Sequence, residues 1–217
     1  MTAPGAAGPG RARLAAAAAV VLLALAALLY GLRADAEQAA PAPDEDPTAT
    51  IDQTDARGGE LAGLQARAAL DPCPPGLGPE LPDLELACLG GGAPVDLRSA
   101  PPGRPTVVNL WASWCGPCRE EVPALAEFRE AAGDRVGVVG VLTTDTRRAA
   151  LTFAEQFGMR WPSVVDDDGL VRRAFAGGVP VTLFLRADGS VAHVLRGPFA
   201  DRAELEALVA EHLGVVL

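Results

Sequence analysis

The stretch Thr106-Val107-Val108-Asn109-Leu110-Trp111-Ala112-Ser113-Trp114-Cys115-Gly116-Pro117-Cys118 decides the fold. Its first six residues, TVVNLW, are the short apolar run of a buried strand. Two cysteines spaced Cys-x-x-Cys follow, and then Arg119–Ala132, where Val122, Leu125, Ala126 and Phe128 recur at helical spacing until Gly133. A dithiol at such a junction has a physical logic. Cys115 falls at the helix N-terminus, where unpaired N–H groups and the positive end of the macrodipole stabilise a thiolate, the nucleophilic form of the side chain. Cys118 lies one turn further on, within reach of a mixed disulfide formed on Cys115. Pro117 presets a helical torsion in the first turn and has no N–H to leave unpaired.

Downstream, Val136–Leu142 reads as a second buried strand and Thr146–Phe157 as a helix, with Asp145 as its N-cap and Gly158 closing it. Ser163–Val165 is short and extended, and Leu170–Phe175 is a brief helix. Val181–Leu185 and Val191–Leu195 flank Ala187-Asp188-Gly189, a hairpin signal. Asp201–Leu213 is a last helix, with Asp201 as cap and Glu204 three residues on. Strands and helices alternating in this order predict an α/β domain: a mixed central sheet flanked by helices on both faces.

The string NLWASWCGPC in this setting resembles the thioredoxin superfamily, and within it the TlpA/ResA group of anchored, exported thioredoxin-like proteins. The resemblance runs from about Leu81 to the C-terminus. LPDLELACLGGGAPVDL is similar to the group's N-terminal strand pair, VVNLWASWCGPCREEVPAL to its active-site strand and helix, and GVPVTLFLRADGSV to its proline loop and hairpin. The resemblance implies a thioredoxin-like fold with an N-terminal β-hairpin extension. It implies thiol–disulfide exchange on cysteines of exported proteins, apocytochromes c among them. By the same resemblance Pro180, after Val179, is a cis-proline whose preceding backbone pairs with a substrate strand; the other reading is a trans proline starting an edge strand. Glu121 is an acid beside the dithiol that takes part in proton transfer, against the plainer reading of an acid favouring the helix dipole. Trp114, Gly116 and Pro117 belong with Val179 and Pro180 to the substrate-docking surface, Trp111 belongs to the core, and Pro123 is the helix-kinking proline. Asn109 stands where many thioredoxins carry a buried Asp, which makes Glu121 the acid–base partner.

Towards the N-terminus, Leu14–Leu32 is a run of 19 residues without a charge. As a helix it reaches about 28 Å, close to the hydrocarbon thickness of a bilayer. Arg11 and Arg13 precede it and acids dominate after it, an asymmetry that leaves the tip in the cytoplasm and exports the rest. The run is a retained single-pass anchor or a cleaved signal peptide; Ala34-Asp35-Ala36 has the small-residue spacing of a cleavage site. Residues 34–71 carry nine acids against Arg57 and Arg67 and are rich in Ala and Pro, the composition of a flexible acidic tether. Within it Leu61, Leu64 and Ala68 share one face of a short helix over Glu60–Leu70. The expected organisation is therefore 1–33 tip and anchor, 34–71 linker and 72–217 thioredoxin-like domain.

Cys73 and Cys88 are the remaining two of four cysteines. An even count in an oxidising compartment favours a structural disulfide, with a second redox pair and free thiols as alternatives. Their spacing is too wide for a four-cysteine zinc knuckle. His193 and His212 read as isolated surface or packing residues, and Asp166-Asp167-Asp168-Gly169 as a solvated turn. Neither a metal site nor a cofactor is expected. The net charge of −10 argues against a nucleic-acid partner. The function expected is an extracytoplasmic reductase of protein disulfides, supplied with electrons by a transmembrane donor such as a thiol-reductant transporter. The alternatives are an oxidase or isomerase of the same fold, or a Cu(I)-binding metallochaperone module.

Overall fold

The computed structural model describes residues 47–99, 101–175 and 177–217, with side chains from residue 58 onward. The apolar run Leu14–Leu32 lies outside these residues, and among those described no helix is long and apolar enough to cross a membrane.

The elements in chain order are α1 (Pro47–Ala68), β1 (Glu85–Cys88), β2 (Val95–Asp96), β3 (Thr106–Trp111), α2 (Gly116–Ala132), β4 (Gly137–Thr143), α3 (Arg147–Phe157), β5 (Ser163–Asp166), α4 (Leu170–Ala174), β6 (Val181–Leu185), β7 (Val191–Arg196) and α5 (Arg202–Leu213). One seven-stranded sheet runs in the order β2-β1-β5-β4-β3-β6-β7. Strands β3, β4 and β5 are parallel, and β6, β7, β1 and β2 pair antiparallel at the two flanks. Every residue of β3 and β4 is buried, as the unbroken apolar runs require of parallel strands covered on both faces. One core lies around Trp111, Leu125, Phe128 and Leu151, the other around Leu77, Leu97, Leu110 and Leu183. This is the mixed α/β sheet and thioredoxin-like fold expected from the sequence.

The turn that joins β6 to β7 makes one close approach that only glycine allows. A Cβ on Gly78, whose φ is +138°, would sit 2.4 Å from Gly189 Cα, and Gly189 is itself at φ +82°. The chain leading into β1 is thereby pressed against the hairpin.

Four local expectations are corrected. The stretch read as flexible tether contains α1, and its last turns are part of the domain: Leu64 and Ala68 are buried in the core, and Leu61 packs against it. The short helix read over Glu60–Leu70, with Leu61, Leu64 and Ala68 on one face, is present within a longer one, and what the composition did not reveal is that this face docks on the domain. Polar contacts complete the docking. Gln65 Nε2 donates to Leu89 O, Arg67 pairs with Glu155, Arg148 pairs with Glu60, and Arg160 donates to the carbonyls of Arg67 and Ala68 at the helix end. The N-cap of α3 is Thr146, whose Oγ1 accepts from Ala149 N; Asp145 is engaged elsewhere. Asp166 is buried at the start of the three-aspartate turn, where it accepts from Thr143 Oγ1 and from the N–H groups of Leu170, Val171 and Arg172. Only Asp167 and Asp168 are exposed. His193 and His212 are not isolated: their rings stack 3.9 Å apart at 9°, beside Phe184, joining β7 to α5. Burial, then the neighbouring His212, holds His193 below the usual imidazole range.

If α1 is integral, Leu64→Ala should destabilise the domain by about 2–5 kcal/mol in urea unfolding, the usual cost of emptying a core leucine site. A flexible tether would leave the midpoint unchanged.

Candidate active site

Cys115 is the N-cap of α2. Its backbone is extended (φ −81°, ψ 111°), and its Sγ accepts the N–H of Cys118 at 3.1 Å. The helix therefore presents one of its orphan donors to this sulfur, where a negative charge would be stabilised. Cys115 and Cys118 are joined in a disulfide, with Cα atoms 5.3 Å apart. Both cysteines are buried, Cys115 4% exposed and Cys118 1%, whereas the Gly116 and Pro117 between them are open to solvent.

The loop before the dithiol is clasped from the turn that follows β4. Asp145 Oδ2 accepts from Ser113 N at 2.6 Å, which explains why this acid does not cap α3. Trp114 is 60% exposed and donates its indole N–H to Thr144 O at 3.2 Å. Thr144 holds a φ of +48°, an uncommon conformation for a β-branched residue, and it stands at the rim of the site. Arg119 reaches back to Ser113 O and lies over the rings of Phe153 and Phe157. The Val179–Pro180 peptide is cis, with Pro180 buried and Val179 half-buried. Strand β6 starts immediately after it and pairs with β3, Val181 opposite Leu110, so this loop flanks the end of the strand that leads to the cysteines.

Beneath the pair lies a buried polar cluster. Glu121 is 2% exposed and its Oε1 accepts from Asn109 Nδ2 at 2.8 Å; Oε2 has no hydrogen-bond partner among the described residues. Burial pushes the carboxyl up to about 7, against a weaker downward pull from the Asn109 amide and the Phe199 backbone. A half-paired carboxyl three residues after Cys118, titrating near neutrality, can receive or return a proton. Asn109 Nδ2 also lies 3.3 Å from Thr182 Oγ1.

The structure thus gathers Trp114, Cys115, Cys118, Glu121 and the Val179–Pro180 loop around one end of β3. It places Cys73 and Cys88 apart from them, joined in their own disulfide between the α1–β1 connection and β1. Among the described residues no group of three or more His, Cys, Asp or Glu converges on a metal position. Sequence reasoning passed over Thr182 and Thr144 and took Asp145 only as a helix cap. Thr182 could have been found as the second residue after the proline of the loop, and the other two as the polar pair closing a buried strand.

A family model described as Redoxin matches residues 77–209. The thiol:disulfide interchange protein HelX of Rhodobacter capsulatus is 33% identical over 129 residues, 57% of this chain and 70% of that protein. The thiol–disulfide oxidoreductase ResA of Bacillus subtilis is 28% identical over 101 residues, 46% of this chain; the match spans only 56% of ResA. Among solved structures, a secreted Mycobacterium tuberculosis disulfide oxidoreductase homologous to Escherichia coli DsbE superposes with a TM-score of 0.52 at 29% identity, covering 59% of this chain and 96% of that one.

Two outcomes are expected. A carboxyl whose folded pKa is raised stabilises the fold fully below its unfolded pKa and ceases to do so as pH rises through the folded value. Urea unfolding should therefore show stability falling between about pH 4.5 and 7, and Glu121→Gln should flatten that slope. Replacing Cys73 and Cys88 with Ala opens a loop of sequence separation 15. That should cost about 3 kcal/mol by the chain-entropy estimate and leave disulfide exchange at wild-type rates.

Proposed function

This chain belongs to the Redoxin family and is a thiol–disulfide oxidoreductase, and from that premise we propose that it reduces disulfides of exported proteins outside the cytoplasm, working from Cys115 and Cys118. The observation that carries the proposal is Cys115 Sγ seated on the N–H of Cys118 at the start of α2, with the second sulfur one turn away.

The chemistry runs as two displacements. Cys115 thiolate attacks one sulfur of a substrate disulfide, and the other substrate sulfur leaves as thiolate. Glu121 carboxylate takes the proton of Cys118. Cys118 then attacks Cys115 Sγ, closing the intramolecular disulfide and releasing the second substrate thiolate. The substrate gains two electrons and, from solvent and from Glu121, two protons; the enzyme's dithiol is oxidised. Trp114 and the backbone at Val179 hold the substrate segment beside Cys115. A transmembrane thiol donor restores the dithiol.

The reductive direction is supported by the Cys-Gly-Pro-Cys sequence of reducing thioredoxins, and apocytochromes c are candidate substrates by the resemblance of the active-site segment to the TlpA/ResA group. An extracytoplasmic site is supported by the Cys73–Cys88 disulfide, which a reducing cytosol would not sustain. Leu14–Leu32 is the proposed membrane anchor.

Equilibration with glutathione should give a reduction potential near the thioredoxin range, about −270 mV; a value above about −180 mV would replace the reductase with an oxidase. Cys118→Ala should stall the reaction as a mixed disulfide on Cys115, visible as a higher-mass band that dithiothreitol removes, whereas Cys115→Ala should trap nothing.

A further inference from the structure

Under the dithiol three side chains from three elements form a closed polar chain. Asn109 on β3 and Thr182 on β6 are directly opposed in the antiparallel register. The amide of Asn109 donates to Glu121 Oε1 at 2.8 Å, and the same nitrogen lies 3.3 Å from Thr182 Oγ1. All three are at least nine-tenths buried: Asn109 is 3% exposed, Glu121 2% and Thr182 0%. The groups that face the Glu121 carboxyl are the amide from β3, the hydroxyl behind it on β6 and the Phe199 main chain ahead of α5. No charged side chain is among them; on its own helix Cys118 lies three residues before it, and the intervening Arg119 and Glu120 are exposed.

Such a site must satisfy one buried carboxyl in two protonation states. The ionised form only accepts hydrogen bonds, and the protonated form must also donate one. An aspartate at 109 could not donate to the ionised form, and two adjacent carboxyls would drive their titrations apart. A hydrocarbon would leave the ion with the Phe199 main chain alone. A carboxamide serves both forms: one face donates N–H to the carboxylate, and turned over, its oxygen accepts the O–H of the acid. A threonine hydroxyl can follow that turn, since it accepts from an N–H and donates to an oxygen.

We propose that Asn109, steadied by Thr182, is a positioning residue whose amide turns over as Glu121 gains and loses the proton it exchanges with Cys118. The proposal rests on the reading of Glu121 as proton partner. No electrons move in this step. One proton passes between Cys118 Sγ and a Glu121 oxygen, and two hydrogen bonds exchange donor for acceptor. Thr182 and Asn109 touch neither substrate nor sulfur chemistry directly; they set the pH at which the second displacement is supplied with a thiolate.

The test is the pH–rate profile of insulin-disulfide reduction by the full-length chain from pH 5 to 9, with thermal melts to confirm folding. The wild type should inflect near neutrality, and Glu121→Gln should abolish the inflection. Asn109→Leu removes the donor to the carboxylate, and the inflection should move up by about one pH unit, the worth of a modest charge-assisted hydrogen bond. Thr182→Val should shift it the same way by less and lower the rate at pH 7 several-fold; Thr182→Ser, which keeps the hydroxyl, should restore the wild-type curve. Adding Asn109→Leu to Glu121→Gln should produce no further change in shape. If Asn109→Leu and Thr182→Val fold and keep the wild-type inflection while Glu121→Gln abolishes it, the positioning role is overturned and Glu121 stands. If Glu121→Gln keeps the inflection, the proton-partner reading falls, and the positioning role with it. Should Asn109→Leu fail to fold, the Thr182 Val and Ser pair decides the question alone.

Discussion

The site depends on a sulfur placed where a helix begins. A helix leaves its first N–H groups without internal partners, and they are usually met by an oxygen from Ser, Thr, Asp or Asn. In this domain Cys115 occupies the cap, and its Sγ meets the N–H of Cys118. That single substitution of sulfur for oxygen turns a structural necessity into a reactive group. Much nearby structure serves to keep it there. Strand β3 delivers the chain to this spot fully buried, Asp145 fastens the loop through Ser113, and Trp114 is tied to Thr144.

Electrostatics near the pair are arranged in two tiers. At the rim, the helix N-terminus and the Arg119 guanidinium favour negative charge. Below, the environment is nearly neutral: an amide, a hydroxyl and a carboxyl that burial holds close to half-protonated at neutral pH. The upper tier suits a nucleophile that is ionised before its substrate arrives. The lower one suits a second sulfur that must stay protonated until the mixed disulfide has formed, and then lose its proton quickly. One helix turn separates the two demands.

The strands and helices of the domain were legible because their apolar residues follow a period that packing then respects. The runs TVVNLW and VTLFL are buried throughout, and Asp201 caps α5 through Glu204 N as its spacing suggests. Cys73 is joined to Cys88 and Cys115 to Cys118, and Glu121 is buried, a burial that no spacing in the helix sequence specified. What escaped was set by contacts distant in sequence. Asp145 looks like a cap until Ser113, 32 residues away, competes for it. Asp166 looks like surface until four donors converge on it. Helix α1 sits in an acidic stretch, and only the partners at Leu89, Arg148, Glu155 and Arg160 reveal that it docks. The pairing of Asn109 with Thr182 depends on strand register, which no local pattern specifies.

The second disulfide gives the domain an internal contradiction to manage. A thiol–disulfide oxidoreductase carries, apart from its exchanging pair, a second disulfide of its own, Cys73–Cys88. Survival of that bond is a matter of access. Cys88 is 7% exposed on a strand hydrogen-bonded to β5, and Cys73 is half-buried and packed against the core. The buried Cys88 sulfur offers an outside thiolate little surface, which leaves Cys73 the more open of the two. Unfolding would remove that cover, so the same bond is more open to exchange in an unfolded copy than in a folded one.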